Sequence, residues 1–143
     1  MTTLDALQSA LAGEHACVYG YGLLGPFVSG DEEPAARAAL ESHRARRDLL
    51  AAQVRARSAE PVAALAAYSV PFVVDDATTA RRLAGLLEQR LAPLYADLVA
   101  VTSNPALRET AARALAEAAV RAAGWTGTTT ALPGLDPVCH AAS

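Results

Sequence analysis

The chain has 143 residues, which suits one domain with a core large enough to be stable alone. Its formal net charge of −3 argues against a nucleic-acid-binding protein, which needs a basic face, and the chain has no run of about 18 apolar residues that could span a membrane. Apolar residues reach 52% and charged residues only 19%, where about 45–50% and about 25% are usual, so we expect self-association.

The sequence contains few features that indicate targeting or redox chemistry. The sequence does not open on a basic stretch followed by an apolar segment, so we expect a cytoplasmic protein. Its two cysteines, Cys17 and Cys139, have neither a metal-ligand spacing nor the pattern of a disulfide framework. The 35 alanines, with arginine as the only basic residue besides histidine, indicate a high-GC bacterial genome and say nothing about chemistry.

The first predicted helix begins at Thr3 or Leu4 and ends at the Gly25-Pro26 pair. Thr2 or Thr3 is the expected cap. The glycines among residues 19–25 lower helix propensity by roughly 1 kcal/mol each. They are compatible with close approach of a neighbouring helix or with an early end of this helix, and we favour close approach.

The second predicted helix is capped by Asp31 and continues to about Arg57. Residues 58–75 then change character, and Pro71 forbids one continuous helix through them. A short extra turn over residues 61–67 is compatible with the sequence.

Two further helices and a tail complete the prediction. The bundle is expected over residues 1–125, and residues 126–143 form an irregular tail packed on it or extending from it. The helices are predicted to run from a cap at Asp75 or Asp76 to about Thr102, and from a cap at Ser103 or Asn104 to about Gly124.

Connection lengths predict the topology. The first and third links are a few residues long, so helices 1 and 2, and helices 3 and 4, form antiparallel hairpins. The middle link of roughly 18 residues is long enough to run the length of a bundle. The sequence therefore predicts an all-α, four-helix, up-down bundle with one long crossover between helices 2 and 3, which is the ferritin-like connectivity.

Ionisable residues interrupt the apolar faces of the first two helices. Glu14 falls on the face formed by Leu7, Leu11 and other residues at helical spacing. His43 and Arg47 fall on the corresponding face of helix 2. Since buried charges are costly unless they pair or bind a metal, this layer is the candidate functional site.

Several segments of the chain resemble a bacterial family of alanine-rich, ferritin-like proteins of unknown function. The resemblance covers nearly the whole chain and implies a ferritin-like bundle, with no settled activity. The residues that carry it are Glu14-His15-Ala16, Tyr19-Gly20-Tyr21-Gly22, His43-Arg44-Ala45-Arg46-Arg47-Asp48, Tyr68-Ser69-Val70-Pro71, Trp125 and Leu132-Pro133-Gly134.

A two-iron centre in this fold takes one Glu from each of two helices and a Glu-x-x-His pair from each of the other two. Glu14 and Glu88 match the single glutamates. Both Glu-x-x-His pairs are broken, because Leu40 stands three residues before His43 and a valine stands three residues after Glu117. We therefore expect no two-iron centre.

Two interpretations of the polar layer remain open. In the first, no metal is bound: Arg47 and Arg121 neutralise the glutamates, His43 is hydrogen-bonded between them, and the layer comprises Glu14, His43, Arg47, Glu88, Glu117 and Arg121. In the second, the layer holds a single Fe, Mn or Zn ion, with ligands drawn from Glu14, His43, Glu88 and Glu117. In either case Tyr21 and Tyr95 are expected in the core, each with a tethered hydroxyl.

The preferred function is a non-catalytic bundle that binds a small ligand or serves as an interaction protein, with a salt-bridged polar core. The alternative is a metal-dependent oxidoreductase with an unconventional carboxylate and histidine site. We also predict a homodimer formed through helix faces, because helix 3 carries more leucines than one bundle seam needs, from Leu83 to Leu98. No nucleic acid or membrane partner is expected, and the sequence does not identify a ligand.

Overall fold

The computed structural model describes residues 1–127. These residues form four long α-helices joined by two short links and one long one. In chain order the helices are α1 (Thr3–Leu24), α2 (Glu32–Arg55), α3 (Ala77–Val101) and α4 (Pro105–Thr126), and a short 3-10 turn, Gly25–Phe27, follows α1.

The packing of the helices confirms the predicted bundle. Helix α1 packs against both α2 and α3, and α3 packs against α4. The link from α2 to α3, residues 56–76, is the single long crossover. The fold is therefore the all-α, ferritin-like bundle expected from the connection lengths.

Three helices begin at capping residues that the sequence identifies. At α1 the Asp5 amide donates to the Thr2 hydroxyl at 3.1 Å, and the Asp5 carboxylate accepts from the Thr2 amide at 2.8 Å. Asp76 caps α3 and Asn104 caps α4. The prediction for α2 was only half right: Asp31 occupies the N-cap position, but among the described residues its side chain makes no cap hydrogen bond.

The crossover contains no helix, so the extra turn considered for residues 61–67 is wrong. Near its start, the backbone of Glu60 and Val62 bonds to α1 side chains. The Gln8 amide group donates to the Glu60 carbonyl at 2.7 Å and its oxygen accepts from the Val62 amide at 2.8 Å. His15 bonds the Val62 carbonyl at 3.0 Å. These contacts tie the crossover to the bundle along α1.

Close helix packing depends on small residues. The buried residues of α4 are one leucine and four alanines, which lets it lie near α3. A Cβ at Gly20 would come within 2.5 Å of Leu87 Cδ1, so α1 approaches α3 closely there, whereas Gly22 faces open space. The interpretation of the glycines as close-approach positions therefore holds for Gly20 and not for Gly22.

The last helix of the bundle is slightly longer than predicted. Helix α4 extends to Thr126, two residues further than expected, and ends at Gly127 in the left-handed conformation. The predicted irregular tail otherwise lies outside the described residues.

Within the described part of the chain, none of the helices has the length and apolar character that crossing a bilayer demands.

Candidate functional site

Three ionisable side chains from three helices meet in the centre of the bundle. Glu14 of α1 is 1% exposed, His43 of α2 is 1% exposed and Glu88 of α3 is fully buried. Each lies on the inner face of its helix, at the spacing of the surrounding core leucines and alanines. Together we call them the central triad.

His43 lies between the two carboxylates and bonds to both. Its Nδ1 is 2.7 Å from Glu14 Oε2, and its Nε2 is 2.9 Å from Glu88 Oε1. Carboxylate oxygens only accept hydrogen bonds, so both ring nitrogens donate when the ring carries its second proton. Burial by itself disfavours that charge, but the hydrogen bonds and negative charges of Glu14 and Glu88 outweigh it and raise the pKa of His43 to about 9.

Two tyrosines complete the hydrogen bonding of the carboxylates, as expected from their positions near the core faces. The Tyr21 hydroxyl of α1 donates to Glu88 Oε1 at 2.6 Å, and the Tyr95 hydroxyl of α3 donates to Glu14 Oε1. Each helix thus carries a glutamate and, seven positions later, a tyrosine that bonds to the glutamate of the other helix. Burial and the adjacent carboxylates raise the pKa of both phenols, so these hydroxyls remain protonated donors.

Trp125 extends the hydrogen-bonded network to the edge of the bundle. Its indole N–H donates to the Tyr21 hydroxyl at 3.0 Å. Tyr21 also lies against the ring of His43, with ring centroids 5.2 Å apart. The network therefore runs from α4 through Tyr21, Glu88 and His43 to Glu14.

Cys17 is a buried neighbour of the triad that the sequence analysis set aside. It is 1% exposed. Its sulfur, one Glu14 oxygen and one His43 nitrogen all lie within 4.8 Å of one another. Burial, followed by the charges of Glu14 and Glu88, raises the pKa of its thiol, so the free side chain is a neutral S–H group.

One atom of the cluster has no hydrogen-bond partner among the described residues. Glu88 Oε1 accepts from both His43 and Tyr21, whereas Glu88 Oε2 is buried and unpartnered. Leaving a charged buried acceptor without a partner costs on the order of 1–3 kcal/mol or more. This oxygen is the one unsatisfied feature of an otherwise bonded core in the part of the chain that is described.

A small cavity borders the cluster on the side of the crossover. Its volume is about 180 Å³, and it is lined by α1, the crossover and α3. Cys17 connects the cavity with the central triad, because its side chain lines the cavity and its sulfur lies beside the triad. The rest of the lining is largely apolar and includes Tyr68, Val70, Leu87 and Leu91.

Arg47 does not belong to the layer, which corrects the prediction that it neutralises Glu14. Its guanidinium bonds to Asp48 at 2.9 Å on the outer side of α2, with 31% of its side chain exposed. Two successive positions of a helix point about 100° apart. Arg46 is the arginine that turns inward, where it lies over the Tyr95 ring of α3 at 5.9 Å and pairs with Glu117 of α4.

Glu117 and Arg121 form a second cluster at the surface, not part of the buried layer as predicted. Glu117 is 2.7 Å from Arg46 and 3.8 Å from Arg121. The side chains of Glu117 and Arg121 are 37% and 25% exposed. The six residues of the predicted layer are thus separated into three parts. Glu14, His43 and Glu88 form the buried triad, Glu117 and Arg121 lie in this half-exposed group, and Arg47 lies on the outer side of α2.

An internal repeat relates the two halves of the bundle. Glu88 follows Glu14 by 74 positions, Tyr95 follows Tyr21 by 74, and Glu117 follows His43 by 74. The repeat places Glu117 where α4 would supply the counterpart of His43. Of these three pairs, the last departs from symmetry in its contacts, because His43 faces the centre and Glu117 faces Arg46.

The sequence analysis did not identify Cys17 as part of the site. It also assigned to Arg47 the inward position that Arg46 occupies. The spacing from Glu14 to Cys17 is three residues, the same spacing as in a Glu-x-x-His pair, and it was an available signal. Nothing in the sequence distinguishes Arg46 from Arg47, because both lie one helical turn after His43.

Comparison with known proteins identifies a family and a fold. The family model described as "Domain of unknown function (DUF4439)" matches residues 6–137. The chain belongs to the DUF4439 family. Among curated proteins, none matches the sequence significantly.

Solved structures agree with this assignment. A conserved hypothetical protein, rv2844, from Mycobacterium tuberculosis is 34% identical, with a TM-score of 0.83 over 87% of this chain and 95% of that chain. A ferritin-like, diiron-carboxylate protein from Bacillus anthracis str. Ames is 15% identical, with a TM-score of 0.73 over 86% of this chain and 91% of that chain. The second similarity concerns the fold alone.

The residues present do not fit the two-iron centre that this fold can hold. Leu40 and Val120 occupy the positions where Glu-x-x-His pairs would complete the ligand set. Glu117, the remaining acidic candidate, is bonded to Arg46 outside the cluster. The ring of His43 lies between the two central carboxylates and bonds to one oxygen of each.

Proposed function

We propose that this DUF4439 protein is a non-catalytic, small-ligand-binding bundle of the bacterial cytoplasm, in which a hydrogen-bonded polar core has replaced a two-iron centre. The observation that carries the proposal is the position of the His43 ring between Glu14 and Glu88. A ring that bonds to both carboxylates serves the same structural purpose as bridging cations, because it joins the acidic side chains of two helices.

The surroundings of the ring support a structural role for the core. Each carboxylate receives a second hydrogen bond from a tyrosine on the opposite helix, Tyr95 for Glu14 and Tyr21 for Glu88. Buried hydrogen-bonded networks of this kind, here with only Glu88 Oε2 unpartnered among the described residues, rigidify a core and favour one arrangement of the helices. The hydrogen bonds of the two carboxylates thus join α1, α2 and α3.

The test is the response of the protein to ferrous iron and oxygen. Chelator-treated protein is mixed with Fe²⁺ without oxygen, then exposed to air while Fe³⁺ formation and oxygen uptake are recorded, with a ferritin as the positive control. We expect iron oxidation no faster than in buffer and fewer than two bound irons per chain. Two irons per chain, with oxidation faster than in buffer, would overturn the proposal and favour the oxidoreductase alternative.

A further inference from the structure

We propose that the small ligand of this bundle is a single zinc-class divalent cation, held by Glu14, Cys17 and His43 with Glu88 behind them. This inference rests on the proposed function, since it names the ligand of the same core. It differs from a two-iron centre in the number of ions and in the use of a sulfur ligand.

The donor atoms are those of a mononuclear site. Glu14, Cys17 and His43 offer an oxygen, a sulfur and a nitrogen within 4.8 Å of one another. In a tetrahedral zinc site the ligand atoms lie roughly 3.3–3.8 Å apart, because each is about 2.0–2.3 Å from the ion. Contraction by about 1 Å, within reach of side-chain rotation, would bring the three atoms to that spacing.

Glu88 supplies the second, independent observation. Its Oε1 bonds to His43 Nε2, as a carboxylate does when it orients a metal-bound histidine from outside the ligand shell. Its Oε2 is buried without a partner among the described residues. Glu88 lies outside the group of three donor atoms, so it acts as an outer-shell partner of His43, and its unpartnered Oε2 is available to a water that accompanies the ion.

Sulfur and nitrogen donors select the class of metal. Thiolate and imidazole ligands favour zinc and chemically similar ions, whereas magnesium, calcium and manganese prefer sites made only of oxygens. The cavity under the crossover offers a route, because Cys17 lines it and also reaches the triad. An ion entering from that side would meet the sulfur first.

Cobalt is the probe, since Co²⁺ occupies zinc sites and gives a sulfur-to-metal charge-transfer band that reports a thiolate ligand. The full chain is produced in cobalt-supplemented medium and purified with a metal-free reductant, without chelator or nickel affinity. The metal content and the near-ultraviolet spectrum are then measured. We expect one cobalt per chain, with the charge-transfer band present.

The two cysteines of the chain provide the matched comparison. Cys139→Ser removes the other thiol, at a position outside the described residues, and should keep the cobalt and the band. Cys17→Ser should lose the band and most of the cobalt. Because the chain has two cysteines, a band that persists in Cys139→Ser already identifies Cys17 as the ligand, even if Cys17→Ser does not fold.

The outcomes separate this inference from the proposed function. Absence of cobalt, a band lost in Cys139→Ser, or cobalt retained in a folded Cys17→Ser without change would each overturn the inference while leaving the metal-free polar core in place. Two irons per chain with rapid oxidation in the iron experiment would overturn the proposed function itself. Zinc in place of cobalt, at one per chain in protein from unsupplemented medium, would support the inference directly.

Discussion

At the scale of single residues, His43 neutralises charge that Glu14 and Glu88 would otherwise leave buried and uncompensated. Both carboxylates are at most 1% exposed, so water cannot replace the ring. Removing one partner of a buried charged network typically costs about 3–5 kcal/mol. The interactions of His43 should therefore be a large part of a total stability near 5–15 kcal/mol.

The first prediction compares two positive residues one helical turn apart. His43→Met should lower the free energy of unfolding of chelator-treated protein by about 3–5 kcal/mol, because it leaves two buried carboxylates without their shared partner. Arg47→Met should change it by no more than about 0.5 kcal/mol, since Arg47 pairs with an exposed Asp48. Chemical denaturation measures both. Equal effects of the two substitutions would contradict this assignment of charge partners.

The second prediction concerns the tyrosines that bond to the carboxylates. Tyr21→Phe and Tyr95→Phe should each lower the free energy of unfolding by about 1–3 kcal/mol, because a buried carboxylate oxygen loses a donor. Tyr19→Phe is the matched control on α1, since its ring contact with Tyr68, at 5.4 Å between centroids, does not need the hydroxyl. Thermal and denaturant unfolding would show the difference, and a Tyr19→Phe loss as large as the others would count against it.

The sequence predicts part of this site and not the rest, for reasons of geometry. Glu14 and His43 could be found from the sequence because an ionisable residue on an apolar helical face is costly to bury unless it has a partner. The choice between Arg46 and Arg47 could not be made, because both lie near the edge of that face and only the position of α4 decides between them. Which side chains bond to Glu14 depends on how α1, α2 and α3 are rotated about their own axes. The periodicity of a single helix does not specify that rotation.

At the scale of the helices, close packing of α1 on α3 brings Glu14 and Glu88 to the same ring. Gly20 lies directly against Leu87 and thereby sets this distance one to two turns beyond Glu14. Gly22, two residues later, faces open space and has no such role. The two glycines therefore provide a comparison within one helix.

The third prediction uses these glycines. Gly22→Ala should raise the free energy of unfolding by about 0.5–1 kcal/mol, because alanine has the higher helix propensity and meets no neighbour. Gly20→Ala should lower it by about 1–2 kcal/mol, because the new Cβ displaces Leu87 from its place between the helices. Unfolding measurements on both variants test the claim. If Gly20→Ala stabilises as much as Gly22→Ala, the helix spacing is not set there.

Helix boundaries and connectivity were largely predictable, whereas the crossover was not. Thr2, Asp76 and Asn104 are caps whose side chains act on the next few residues, so local sequence suffices to find them. The conformation of residues 61–67 is set by Gln8 and His15 of α1, which bond to the backbone of Glu60 and Val62. Such long-range bonds override the local preference for a turn.

At the scale of the whole molecule, the surplus of apolar residues is only partly buried. Leu86 and Leu94 of α3 line the cavity under the crossover and are half-buried, so the crossover covers some of the leucine face that suggested a dimer. Other large apolar side chains are exposed to solvent. Leu65 is 64% exposed and Val120 is 72% exposed. The homodimer remains a prediction.

The fourth prediction is the oligomeric state. Light scattering coupled to gel filtration at micromolar concentration should give about twice the chain mass of 14.8 kDa. The physical reason is burial of apolar surface left on the helix faces. A mass equal to that of one chain across the concentration range would show that the protein is a monomer.

The fifth prediction concerns pH and applies to the metal-free protein. The pKa of His43 is raised to about 9 from an ordinary value of 6.5, so the folded state holds this proton more tightly than the unfolded state. The resulting stabilisation is fully present below about pH 6.5 and is lost as the pH rises through about 9, by on the order of 3 kcal/mol. Denaturant unfolding at intervals across that window measures the loss, and His43→Met removes the dependence.

The protonation state of the His43 ring tests the central claim most directly, because a ring that joins two carboxylates in place of metal ions must donate from both nitrogens. Nitrogen-15 NMR of histidine-labelled, chelator-treated protein reads this state, and the His43→Met variant assigns the signal. We expect both ring nitrogens of His43 to be protonated at pH 7 and the second proton to be lost only as the pH approaches about 9. A neutral His43 ring at pH 7 would contradict the account.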